Sequence, residues 1–175
     1  MTKLLSRGAE PISARGTPCR LDGGFTLTEL VVTIAIAAIL ATLAVPSFNN
    51  IIASEHAKAA ASELYTSLFT ARSEAIRLDQ QVKMTQGTGG WQYGWTTAAT
   101  INGTTTTVDA HGAMTGVALQ EGSGATSVTY YPSGRLAPST TPTFVITATT
   151  GSSTSTQCVS IDPTGTPYMQ AGSAC

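Results

Sequence analysis

The stretch Gly24-Phe25-Thr26-Leu27-Thr28-Glu29-Leu30 decides the fold, because it places one carboxylate at the start of an apolar run that continues to Val45. An ionised Glu inside hydrocarbon costs roughly 2.5 kcal/mol or more on insertion scales. The run itself has about the length that a helix needs to cross ~30 Å of hydrocarbon. An acid in this position therefore indicates a function, and it requires a partner.

A second helical segment follows the apolar run. Pro46 comes directly after it, and we expect a kink there because a proline inside a helix removes one hydrogen bond. Residues 51–78 contain neither Gly nor Pro, and their apolar positions recur at helical spacing, which predicts an amphipathic helix that packs on a sheet. Tyr65, Phe69 and Ile76 are expected to widen the apolar stripe. The stripe itself consists of Ala57, Ala60, Leu64, Leu68, Ala71 and Ala75.

Beyond Asp79 the composition changes to Thr, Ser, Gly and Val, which is typical of short strands separated by Gly and Pro turns. Residues 97–113 are predicted to form a long loop or a hairpin, with a tight turn at Asn102-Gly103. Trp91, Tyr93 and Trp95 alternate, so we expect all three on one strand face, packed against the helix. The predicted strands are 81–85, 91–96, 116–119, 127–131, 143–149 and 157–161.

Charge is distributed unevenly along the chain. The first 24 residues carry four basic and two acidic side chains, which favours their retention on the cytoplasmic side of a membrane. The remaining residues carry five basic and eight acidic side chains, so they offer no broad cationic surface. Nucleic-acid binding, which depends largely on neutralised phosphates, is therefore disfavoured.

Three cysteines divide between the two parts of the chain. Cys19 lies in the basic segment, and no apolar stretch precedes it, which argues against a lipoprotein. Cys158 and Cys175 form an even pair in a region predicted to lie outside the cytoplasm, so we predict a disulfide between them. Two unpaired thiols are the alternative.

Residues that would carry catalysis or bind a metal are not arranged for either role. Gly122-Ser123-Gly124 lacks the spacing of a nucleophile elbow. His56 and His111 are the only histidines, and neither has an obvious acid or second ligand at metal-binding spacing, so both are expected to be solvated surface residues. We predict no catalytic residue, no metal and no cofactor.

Gly24 followed by Phe25, with Glu29 fifth counting from Phe25, resembles the processing and assembly signature of type IV pilins and pseudopilins. The resemblance implies cleavage between Gly24 and Phe25 by a prepilin peptidase, and N-methylation of Phe25 by the same enzyme. It also implies that the exposed helix packs into a filament core. Glu29 would then face the positive N-terminus of a neighbouring subunit, which would set both attraction and register.

Four later motifs are similar to those of the GspH/FimT group of minor pilins and pseudopilins. They are Ala71-Arg72-Ser73-Glu74-Ala75-Ile76-Arg77, Trp91-Gln92-Tyr93-Gly94-Trp95, Tyr131-Pro132-Ser133-Gly134-Arg135, and Val159-Ser160-Ile161 leading to Gly165. The group implies an α+β fold in which a long N-terminal transmembrane and amphipathic helix packs on a mostly antiparallel, β-sandwich-like head.

The expected organisation has four parts. Residues 1–24 are a leader that is removed, 25–45 are the transmembrane half of the helix, 46–79 are its amphipathic half, and 80–175 are the head. The implied function is that of a minor pilin that helps initiate a type IV pilus and sits at its tip. Its partners would be other pilins and the prepilin peptidase. It would reside in the bacterial inner membrane, with the head in the periplasm, before it enters a filament.

Three alternatives stay open. The first is a GspH-type pseudopilin of a type II secretion system. The second is a DNA-uptake pilin, which is disfavoured because Gly165-Thr166-Pro167-Tyr168 lacks both arginines of the Gly-Arg-any-Arg pattern in the DNA-binding branch. The third is a freely secreted periplasmic β domain, released by a cut near Ala44. An acid inside the apolar region argues against this last alternative.

Overall fold

The structure, a computed structural model, describes residues 24–137 and 141–175. Two compact units are present, of which the first ends at Ala38 and the second spans Ile39–Cys175. One helix and eight strands occur within the described residues. They are α1 (Leu27–Leu78), β1 (Val82–Gly87), β2 (Gly90–Ile101), β3 (Thr104–His111), β4 (Val117–Glu121), β5 (Ser127–Tyr130), β6 (Thr143–Thr150), β7 (Ser153–Ile161) and β8 (Pro167–Ala171).

Helix α1 ends at the residue that the sequence predicts. Asp79 adopts a positive φ of 53°, and the N–H of Gln80 donates to the carbonyl of Ala75 at 3.3 Å. This arrangement is a Schellman cap, in which a left-handed residue closes the last turn. The helical assignment is continuous across Pro46, and the kink there stays a prediction.

The strands form two four-stranded antiparallel sheets. The first has the order β3-β2-β1-β5, and the second has the order β4-β6-β7-β8. The indole of Trp91 on β2 meets the ring of Phe144 on β6 edge-on, with ring centroids 5.0 Å apart. The α+β fold with a β-sandwich-like head is confirmed.

The predicted stripe of α1 lies in the core of the head. Its six residues are all buried, and all of them except Ala57 belong to one cluster with buried side chains from both sheets. Phe69 and Ile76 do not widen the stripe as predicted, because both side chains are about half exposed. Small residues on the buried face allow the helix to approach the sheets closely, so the aromatic bulk comes from the strands.

Two strands differ from the sequence-based assignment. Residues 97–113 contain the end of β2 and all of β3, so the hairpin alternative is confirmed and the loop alternative is wrong. Positive φ angles at Asn102 and Gly103 form the tight turn between them. Strand β8 was not predicted, since it begins with Pro167 and its residues show no alternating burial.

Tyr93 does not share the buried face of Trp91 and Trp95. Both indoles are buried, whereas the phenol ring is 54% exposed. The pairing of β1 with β2 shifts register between Gln86 and Gly87, and Gly94 within the shifted segment has a φ of 97°. Such an irregularity is local, because Trp95, Thr97 and Ala99 keep the buried phase of Trp91, and it turns Tyr93 alone out of the alternation.

The predicted disulfide between Cys158 and Cys175 is present. Cys158 lies on β7 and is fully buried, whereas Cys175 is the exposed last residue. The bond fastens the C-terminal tail to the second sheet. Gly172 also donates its N–H to the carbonyl of Thr156 at 2.9 Å.

Removal of the disulfide should destabilise the head. Because the two cysteines are 17 residues apart, replacing both by alanine should lower the free energy of unfolding by about 3 kcal/mol on the chain-entropy model. Urea denaturation of the full chain in detergent, followed by tryptophan fluorescence, measures the change. The reduced wild-type protein serves as the control and should match the double variant. An unchanged urea midpoint would contradict the stabilising role.

Candidate assembly site at the start of the helix

The first turn of α1 is organised by Thr26 and Glu29. The backbone N–H of Thr26 donates to Oε2 of Glu29 at 2.9 Å, and the Thr26 hydroxyl donates to the same oxygen at 3.0 Å. In return, the N–H of Glu29 donates to Oγ1 of Thr26 at 3.2 Å. This reciprocal pattern is a capping box, which satisfies N–H groups that a helix N-terminus leaves without partners.

The capping box was missed at the level of sequence, although its signal was visible. Thr26-Leu27-Thr28-Glu29 has the spacing of a threonine followed three residues later by a glutamate, directly before an apolar run. Among the hydrogen bonds of the described residues, those accepted by the carboxylate both end on Oε2. Oε1 accepts no hydrogen bond within the described residues.

Apolar side chains surround this carboxylate along the chain and are exposed. Leu27 is 78% exposed and Leu30 is 58% exposed. In the described residues, α1 is the one helix long and apolar enough to span a membrane, with a mean hydropathy of 2.4 over 18 residues. The first unit thus presents apolar surface that water does not favour, with one acid at its start.

Gly24 and Phe25 precede the helix in an irregular segment. The Phe25 side chain is 86% exposed, and a Cβ built on Gly24 would meet no atom within 4 Å. Both residues are therefore exposed among the described residues. All of the expected leader 1–24 except Gly24 lies outside the described residues.

A second feature of the head joins α1 to both sheets. The guanidinium of Arg72 donates from Nε to the carbonyl of Gly134 at 3.0 Å, and a Cβ on Gly134 would lie 2.8 Å from Cδ1 of Ile76. A Cβ on Gly165 would overlap the Gly134 carbonyl oxygen. The two glycines, at φ of 73° and 89°, thus permit a contact between loops of the two sheets.

Two titratable groups near this junction have pKa values that differ from their ordinary ones. Burial raises the pKa of Tyr130, whose hydroxyl has no hydrogen-bond partner among the described residues. Hydrogen bonds from Thr164 and then Thr166 lower the pKa of Asp162, which orders the turn that carries Gly165. The close contact of Gly165 with Gly134 and Arg135 thus brings the Tyr131–Arg135 and Gly165 motifs together in the fold.

The prediction of a solvated surface histidine is wrong for His111. Its ring stacks on Trp95 with centroids 4.4 Å apart, its Nδ1 lies 2.8 Å from the carbonyl oxygen of Gly112, and its Nε2 lies 3.2 Å from Oε2 of Glu63. No local pattern predicts this pair, because Glu63 and His111 are distant in the chain. His56 is exposed, as expected.

Comparison with known proteins identifies the family. Residues 60–165 match the family described as type II transport protein GspH, which is more than half of the chain. The chain belongs to the GspH family. Residues 19–45 match the prokaryotic N-terminal methylation motif as well. Among curated protein sequences, none matches this member of the GspH family.

Solved structures similar to this GspH-family chain include the type IV minor pilin FimU of Pseudomonas aeruginosa in two crystal forms. One is 23% identical with a TM-score of 0.57, over 68% of this chain and 90% of FimU. The other is 25% identical with a TM-score of 0.56, over 67% and 98%. The minor pseudopilin EpsH of the Vibrio cholerae type 2 secretion system is 18% identical, with a TM-score of 0.51, over 66% and 97%.

Family membership places the chain among structural subunits, as a minor pilin or pseudopilin, and the similar structures fit both the pilus and the secretion class. The methylation motif and the exposed apolar helix together indicate a membrane-anchored protein. Within residues 24–137 and 141–175, no group of three His, Cys, Asp or Glu side chains is arranged to hold a metal ion.

Replacing Gly165 by alanine should destabilise the head. The new Cβ would meet the Gly134 carbonyl at a positive φ, so we expect a loss of about 2 to 4 kcal/mol in the free energy of unfolding. Thermal unfolding followed by circular dichroism tests this. Gly112→Ala is the matched control, because a Cβ at Gly112 meets no atom within 4 Å. Equal melting temperatures for the two variants would contradict the close-approach argument.

Proposed function

We propose that this GspH-family chain is a low-abundance minor pilin that helps initiate assembly of a type IV pilus and sits at its tip. The proposal rests on one observation. The single carboxylate of Glu29 is held by a capping box at the start of an exposed apolar helix. The similarity of fold to the minor pilin FimU supports the choice of a pilus.

Processing would create the assembly-competent chain. A prepilin peptidase would cut between Gly24 and Phe25 and methylate the new amino group of Phe25. The exposure of both residues supports this step. The leader 1–24, with its basic excess, would stay on the cytoplasmic side of the inner membrane, and the head 80–175 would lie in the periplasm.

Assembly would replace lipid contacts by contacts between helices. Residues 25–45 would anchor the chain in the membrane until a filament accepts it, and apolar packing against other pilin helices would then substitute for lipid. The carboxylate of Glu29 would pair with the positive N-terminus of a neighbouring subunit. In a low-dielectric bundle an acid is tolerated when it is paired or protonated, so this pairing would also fix the stagger between subunits.

A role as a pseudopilin in type II secretion is the second candidate. The family match, whose description is type II transport protein GspH, favours it. Deletion of the gene in the native host separates the two roles. Loss of surface pili with normal secretion supports the pilus, whereas loss of secreted enzymes with normal pili supports the secretion system. In either role we propose a structural function without catalysis.

Processing is tested by the intact mass and N-terminal sequence of the protein recovered from membranes of its native host. We expect the chain to begin with N-methylated Phe25, because the methylation motif matches and the preceding bond is accessible. Gly24→Leu should block cleavage and leave the full-length mass. A mature chain that starts near Val45 would instead mean a freely secreted domain, and it would remove the basis of the proposal.

The role of Glu29 is tested by replacing it with glutamine. Because the amide keeps the size and loses the charge, Glu29→Gln should be cleaved normally, yet it should be recovered at least about tenfold less in sheared filaments if the lost pair is worth ~1.4 kcal/mol. Immunoblots of membrane and filament fractions measure both quantities.

Thr26→Val is the matched control for this experiment. It removes the hydroxyl of the capping box and keeps the carboxylate of Glu29, so it should assemble far better than Glu29→Gln. Equal defects in the two variants would mean that Glu29 acts by capping its own helix. Normal incorporation of Glu29→Gln would refute the pairing.

A further inference from the structure

A groove separates α1 from the last residues of β3. It has a volume of about 540 Å³, and an adjoining cavity of about 420 Å³ shares Ala59, Glu63 and His111 with it. We call the two together the α1–β3 groove. Its main lining residues are Ala59, Glu63, Thr66 and Thr70 on the helix and Asp109 and His111 on the strand.

The strand that borders the groove is an edge strand. Within the described residues β3 pairs with β2 alone, so the backbone N–H and C=O groups of its other side are available to a further strand. The corresponding edge of β5 is different, because Tyr130 bridges to Leu136 and Ala137 donates its N–H to the carbonyl of Thr129. An edge strand beside a groove is a common docking place for an extended peptide.

Edge strands are commonly guarded by lysine, proline or a bulge. Strand β3 contains neither lysine nor proline. It has a bulge at Val108, because Thr97 pairs with Asp109 while Ala98 pairs with Thr107. If two β3 strands paired in the antiparallel register that centres on Asp109, the two acids would lie opposite each other, so this self-pairing is disfavoured and a partner of opposite charge is favoured.

The charges along the groove are of one sign. Glu63 and Asp109 are acids, and no lysine or arginine lines either cavity in the described part of the chain. Glu63 is half exposed, at 51% of its side chain, so it can accept a group from outside. A lysine or arginine entering the groove would therefore meet carboxylates without a competing cation other than histidine.

We propose that the α1–β3 groove binds an extended segment of another protein chain that carries lysine or arginine. The segment adds a strand to the free edge of β3, and its cation pairs with Glu63 and Asp109. This goes beyond the helix-mediated assembly proposed above, since it uses the head alone. The test of the groove is therefore independent of the test of Glu29.

Two synthetic ten-residue peptides test the proposal with the full chain in detergent micelles. Both alternate valine and threonine, and one carries two lysines where the other carries two glutamates. Hydrogen–deuterium exchange of the segment that contains β3 is the readout. The lysine peptide should slow exchange there, and the glutamate peptide should not.

Variants that remove one acid each test whether Glu63 and Asp109 bind the lysine peptide. Glu63→Gln and Asp109→Asn should each weaken lysine-peptide binding about two- to fivefold, which is the range for an exposed ion pair. Glu55→Gln is the matched control, since this acid lies on the same helix and pairs with Lys58. Equal binding of the two peptides, a Glu55 effect as large as the Glu63 effect, or no protection of β3 at peptide concentrations on the order of 1 mM would overturn the proposal.

Discussion

Burial of the small-residue face of α1 is the interaction on which the head depends. Ala57, Ala71 and Ala75 are fully buried, and their methyl groups let the helix backbone approach the strands. Leu64 and Leu68 fill the space between the two sheets and join one cluster with Trp95, Tyr130 and Phe144. Larger side chains at the alanine positions would overpack a core that is already dense, which costs typically 1 to 3 kcal/mol.

Patterns repeated over many residues made the helix predictable. Its end at Leu78 and its buried stripe follow from spacing alone, and the hairpin turn at Asn102-Gly103 follows from local backbone preference. Tyr93 was misplaced because one irregular segment around Gly94 turns this residue out of the alternation that the rest of β2 follows. Strand β8 escaped prediction because its position is enforced by pairing with β7 and by a disulfide, neither of which appears in its own residues.

Part of the candidate assembly site was also predictable from residue spacing. Glu29 stands out from sequence because a charge in an apolar run is rare and costly. Its capping bonds to Thr26 could have been read from the same four residues. The pair of Glu63 with His111 could not, because it exists only after β3 is brought beside α1. Residues that act through local spacing are visible in a sequence, and residues that meet through the fold are not.

The capping box and the proposed intersubunit pairing would place different demands on the same carboxylate. Two hydrogen bonds from Thr26 reach Oε2, and they orient the group without neutralising its charge. A lone membrane-anchored subunit therefore still holds an acid that hydrocarbon disfavours. In the proposed pairing, a cationic amino group from a neighbour would supply what the capping box lacks, and it could bind Oε1 without breaking the helix cap. Capping would then hold the carboxylate in place, so its ordering entropy would already be lost before two subunits meet.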